Sequence, residues 1–230
     1  MKNNDLNRFS LIFGALFVTV GIYYVFSELF TIVNCSSPQT AYFAHTISEL
    51  GIPINENNAF SPAYQIMNTA LLICGASFFW SNLLFFSVIY KNGFSSRKQL
   101  FFANTLSFLA SLGTAIVGIC HADASSAAIL YLHYAGASCS FIFGNSLIIF
   151  TCGKFKANGF ESLASFGKIL GFIGLFSGFM TIVCELTPLK NLSGLAERFT
   201  VYPIVVWEIL IGLFVLSSEI KKRRLQSVNA

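Results

Sequence analysis

Long apolar runs, uncharged apart from Glu208 in the last, alternate along the chain with short polar stretches where the other charged residues collect. Six runs stand out, at residues 9–27, 65–90, 100–119, 125–151, 169–184 and 199–218. Most approach or exceed the roughly 20 residues that an α-helix needs to cross a hydrocarbon core of about 30 Å. The fifth is the shortest, and its start moves back toward Glu161 if Lys168 snorkels to the headgroups. Continuous apolar runs argue against a transmembrane β-barrel, whose strands alternate over segments of about 10 residues. The pattern predicts an all-α polytopic membrane protein, a six-transmembrane-helix bundle read as a single integral membrane domain over 1–230. The long connection at 28–62 becomes an outer loop, and residues 219–230 a cytoplasmic tail.

Composition sharpens this picture. Hydrophobic residues make up 55% and charged residues 10% of the chain, and mean hydropathy is +0.69, whereas soluble domains carry roughly 25% charged residues. With 26 Phe, a water-soluble fold would expose apolar surface far beyond the few hundred Å2 that soluble monomers tolerate. The expected partner is the lipid bilayer, and no nucleic acid is expected. The first run exceeds a signal-peptide core of about 7–15 residues and no small-residue cleavage site closely follows it, so it reads as a retained helix.

Six crossings place all 14 basic residues except Lys190 and Arg198 on one side, together with both termini. The positive-inside rule makes that side cytoplasmic, in a plasma (inner) membrane. Asp5, Glu161 and Glu219 share it. The remaining acids and all three histidines fall on the outer half, and ionisable groups beside a bilayer are costly enough to be informative. The loop at 28–62 is too apolar for a solvated linker, with Tyr42, Phe43, Ile47, Leu50, Ile52 and Ile54, and is expected to fold back as a cap. Small residues recur at Gly136, Ser140 and Gly144 and at Gly167, Gly171, Gly174 and Gly178, a spacing that lets helix backbones approach in lipid. Asn68, Asn104 and Asn145 read as interhelical hydrogen-bonding residues.

Three clusters could carry chemistry. In the loop, a helical turn through His45 and Gly51 would put His45, Ser48 and Glu49 on one face. Such a pair serves as metal ligands, as a base with its orienter, or as a charge-supported cap. The second cluster is Gly118 to Asp123 followed by His133. Asp123 is placed to cap the next helix, and His133, about 12 Å into that helix, needs a polar partner. The third contains Glu197, Arg198, Tyr202 and Glu208. Adjacent Glu197 and Arg198 cannot face one another on a helix. Arg198 therefore reads either as the clamp of an anionic headgroup or substrate, or as an ion-pair partner of Glu185, Glu49 or Asp123. Glu208 lies near mid-membrane, where an acid is protonated or paired. Cys35, Cys120 and Cys184 map near the outer side and allow one bridge; no CxxC is present.

His45 to Gly51, Gly118 with Asp123 and His133, and Gly194-x-x-Glu197-Arg198-x-x-Val201-Tyr202-Pro203 with Trp207 together resemble the bacterial and archaeal membrane family termed domain of unknown function DUF998. The resemblance spans nearly the whole chain. It implies six membrane helices and no established activity. That family usually carries Pro where His121 stands and often an aromatic residue where Cys120 stands, which demotes His121.

Two functional classes follow from these residues. The first is a non-catalytic protein binding a lipid or other amphiphilic or anionic small molecule, with Ser48, Glu49, Glu197, Arg198, Tyr202 and Glu208 lining the site. The alternative is a membrane-embedded hydrolase or transferase, with His45, Asp123 and His133 as catalytic groups or as ligands of a divalent metal. Haem is disfavoured, because bis-His ligation wants two histidines at matching depth.

Overall fold

The computed structural model describes residues 3–53, 61–91, 96–120, 126–157 and 159–228, and among these every regular element is helical. The elements are α1 (Asn3–Val33), α2 (Pro38–Phe43), α3 (Tyr64–Lys91), α4 (Arg97–Ile119), α5 (Ala127–Ala157), α6 (Glu161–Glu185) and α7 (Ser193–Val228). All but α2 are long and apolar enough to span a membrane. The helices run past the apolar stretches that mark them. α6 starts at Glu161 and carries Lys168 exposed within it. Residues 219–228, read from the sequence as part of a tail, continue α7.

The six long helices form a closed ring in which α1 touches α3 and α7, and α3, α4, α5, α6 and α7 follow in order, with α5 and α7 also meeting across it. The packing of α6 is inverted relative to a helix of a soluble bundle. On α6 the buried side is Ala164, Gly167, Gly171, Gly174 and Thr181, while Phe172, Phe176 and Phe179 are more than half exposed. Lipid tails are as apolar as Phe, so nothing drives the large rings inward; close backbone approach and van der Waals contact decide the inner face instead. Gly113 and Gly136 lie back to back between α4 and α5, and a β-carbon on Gly113 would strike the Gly136 carbonyl and the Ser140 amide. Gly174 gives the Asn145 side chain its space, and Asn145 donates to the Thr200 carbonyl of α7 at 3.1 Å.

The three asparagines have different fates. Asn145 links two helices as expected, Asn68 instead donates to the Gly51 carbonyl in the loop at 2.7 Å, and Asn104 Oδ1 has no partner among the described residues.

Two apolar clusters fill the ring. One, near the basic end, gathers Phe13, Phe17, Phe85, Phe155, Trp207 and Ile211. The other gathers Tyr24, Ile47, Leu50, Met67, Leu71 and Val205 at the opposite end, where the loop contributes its own residues. The loop is thus a folded cap, built of α2 and a 3-10 turn at Glu49–Gly51. Pro203 lies inside α7 and, having no N–H, leaves the Phe199 carbonyl without its helical donor.

The glycine seam makes a paired prediction. Gly113→Ala should lower stability in detergent by about 1–3 kcal/mol through backbone overpacking. Gly153→Ala, where a β-carbon meets nothing within 4 Å, should be neutral or up to about 1 kcal/mol more stable. Thermal unfolding followed by circular dichroism compares the two; equal effects would remove the close-approach argument.

Candidate functional site

The cap is fastened to the first turns of α7, where Ser193, Glu197 and Arg198 succeed one another. Ser193 Oγ donates to the Ala44 carbonyl at 2.9 Å. The Glu197 carboxylate accepts the Ile47 backbone N–H. Arg198 is 1% exposed and reaches deepest: Nη1 donates to the carbonyls of Tyr42 (2.6 Å), His45 (2.9 Å) and Gly194 (2.9 Å), and Nη2 to that of Ala41 (3.3 Å). Ala41 and Tyr42 belong to the last turn of α2, whose carbonyls lack intrahelical donors, so the guanidinium terminates that helix and matches the negative end of its dipole. The cation also lies over the Tyr42 ring, 4.7 Å from its centroid. Gly194 makes this approach feasible, since a β-carbon there would collide with the His45 backbone.

The charge partner of Arg198 is Glu28 of α1, with Nε 2.8 Å from Oε1. The sequence favoured Glu185, Glu49 or Asp123, or an incoming anion. Glu28 takes that place because α1 continues to Val33 and carries the acid, wholly buried, alongside α7. Tyr202 stands beside the same acid. With its nitrogens turned to Glu28 and the cap backbone, Arg198 holds structure together; the anionic clamp loses its main residue.

Residues 45–48 are not the helical turn expected of them. Thr46 and Glu49 bond each other reciprocally just ahead of the 3-10 turn: Thr46 N–H donates to Glu49 Oε2 at 2.9 Å and Glu49 N–H to Thr46 Oγ1 at 3.4 Å. His45 Nδ1 lies 3.3 Å from the same carboxylate oxygen, and Ser48 Oγ is 3.2 Å from Thr46 Oγ1. His45 and Glu49 thus stand as a side-chain pair within the loop. His133 is buried on α5 with Nδ1 2.5 Å from the Cys120 carbonyl. Asp123 and His121 lie outside the described residues, and among the described ones no group of three or more His, Cys, Asp or Glu is placed to hold a metal. All six cysteines are free. Burial pushes the Cys35 thiol above its ordinary range, which makes it a poor nucleophile.

Beneath the cap is a cavity of about 60 Å3, roofed by Ile47 and walled by α1, α3, α4, α5 and α7. Its surface is overwhelmingly apolar, with Glu197 and Glu208 both on it. Eleven residues apart, these two acids share one face of α7 about three turns and about 16 Å from each other. Glu208 is 5% exposed, and the described residues offer it no hydrogen-bond or ion-pair partner. Tyr24, Thr114 and Ser140 also line the cavity. Of the residues expected from sequence, the structure therefore gathers His45, Ser48, Glu49, Glu197, Arg198 and Tyr202 at the cap junction, sets Glu208 in the cavity with Glu197, and keeps His133 against the end of α4. Glu28 and Tyr24 escaped the sequence reading, although both lie on α1 one turn apart, at the i, i+4 spacing that marks a shared face.

Arg198→Met should cost about 3–5 kcal/mol, because it strands the buried Glu28 carboxylate. Glu28→Gln combined with Arg198→Met should lose less than the two single changes added together, since the stranded charge is gone. Limited proteolysis at 34–53 should quicken in Arg198→Met; additive losses or an unchanged cleavage rate would show that the cap is held elsewhere.

No curated protein and no solved structure is similar to the chain at a meaningful level. The model of the protein family of unknown function DUF998 matches residues 17–213, from α1 to α7, and the chain belongs to that family.

Proposed function

We propose that this multi-pass membrane protein binds a small amphiphilic molecule inside its bundle, beneath the cap, without catalysis. The observation that carries the reading is the apolar cavity with carboxyl groups on its wall, since a few polar groups in an apolar concavity are the usual make-up of a small-molecule site. The size sets the ligand. About 60 Å3 takes a short chain with its polar head, or the end of a longer amphiphile, and not a whole phospholipid. The charge is set too: the cavity displays acids, and Arg198 is committed to Glu28, so a neutral or cationic head is favoured over an anionic one. The catalytic alternative draws less support, because neither His45 nor His133 lines the cavity.

The bundle places Arg97, Lys98, Lys154 and Lys156 at the end opposite the cap. By the positive-inside rule that end faces the cytoplasm of a plasma membrane and the cap faces out.

Two measurements test this reading. In phosphatidylcholine nanodiscs, calorimetry against empty discs should show saturable uptake of at least one of butan-1-ol, butylamine and butyrate. Ala137→Phe, which fills the cavity, should abolish it while the unfolding transition persists. Absence of uptake by the wild type, or uptake unaffected by Ala137→Phe, rejects the site. A single cysteine placed at Ser36 in a cysteine-free variant should react with an impermeant maleimide added to intact cells; protection until lysis would reverse the orientation.

A further inference from the structure

The polar groups of the cavity differ in what they can still bond. Thr114 Oγ1 donates to the Ala110 carbonyl at 3.0 Å and lies 2.8 Å from Ser140 Oγ. A hydroxyl has one proton, so Ser140 donates to Thr114 and keeps only acceptor lone pairs. Glu197 spends one oxygen on Ile47 N–H. Glu208, nine-tenths buried and more, has both oxygens without a partner among the described residues, and Cys74 lines the same cavity. The Tyr24 hydroxyl is buried without a hydrogen-bond partner among the described residues. No Lys, Arg or His lines the cavity among the described residues. The few polar groups on this apolar wall therefore include unused acceptors and, among the described residues, no cation.

A lone carboxyl group in an apolar wall is an expensive feature for a membrane helix, and such groups mark ligand or ion sites. The missing counterpart must supply N–H donors and positive charge. An inorganic cation is a poor match, because stripping its water requires several oxygen ligands, whereas apolar side chains from five helices supply most of this wall. An organic ammonium group fits both halves of the site, its N–H bonds directed to carboxyl and hydroxyl oxygens and its carbon body against Phe78, Val117 and Ile204.

Resting on the binding reading above, we infer that the cavity recognises a primary or secondary amine bearing a short apolar chain, with Glu208 as the carboxylate that holds the nitrogen. Glu208 sits about three turns below the cap junction, so the nitrogen occupies the deep end and the carbon chain extends toward Ile47 and the cap.

The discriminating experiment compares butylamine, butan-1-ol and butyrate on the full chain in phosphatidylcholine nanodiscs, by titration calorimetry at fixed ionic strength. Butylamine should bind about tenfold or more tightly than butan-1-ol, one hydrogen-bonded charge being worth at least that factor, and butyrate should bind least. Glu208→Gln should bring butylamine down to the level of butan-1-ol in the same variant, and its unfolding transition shows that the variant keeps its fold. Equal binding of amine and alcohol by the wild type, or an amine preference that survives Glu208→Gln, overturns the amine assignment and leaves the cavity as a binding site. Failure of all three probes overturns both readings. Should Glu208→Gln not fold, the wild-type ranking alone decides, since alcohol matching amine refutes the role of charge.

Discussion

A buried guanidinium organises the capped end of this protein. Arg198 meets Glu28 of α1, the two last-turn carbonyls of α2 and the His45 carbonyl at once. Desolvating two charges costs several kcal/mol per ion, and that penalty is offset only when geometry and added hydrogen bonds are good. Here the carbonyls provide those bonds. The pair therefore does more to specify where the cap sits than to add stability, and the cap in turn roofs the cavity through Ile47. Removing the ion pair would leave α2 with unsatisfied carbonyls and the loop without its anchor.

The site follows from this arrangement. Glu197 and Arg198 are neighbours that point to different partners, one to the cap backbone and one to α1. That division keeps the cation out of the cavity and lets the face carrying Glu197, Val201, Ile204, Val205 and Glu208 border it. A single helix thus supplies both the fastening of the lid and the acids of the chamber.

Much of the architecture was legible from residues alone, because lipid imposes a length and a composition on every crossing. The folded loop was legible too, since Ile47 and Leu50 are too apolar to be left in water, and both are buried. What eluded the sequence was pairing at a distance. Glu28 closes an apolar run like any boundary acid, and only the packing of α1 against α7 makes it the partner of Arg198. His45 and Glu49 are spaced as on a helical turn, yet the reciprocal hydrogen bonds between Thr46 and Glu49 outcompete that geometry locally. The small-residue seams were read as packing and serve as packing, while Ser140, counted among them, also lines the cavity.

Pro203 stands between the two acids of α7. A helix bends most readily where a backbone hydrogen bond is absent, so this position divides α7 into two segments of lower mutual stiffness. The joint lies between the cap junction and the deep carboxyl, so a bend there would tilt the cap-bearing turns of α7 relative to those that carry Glu208.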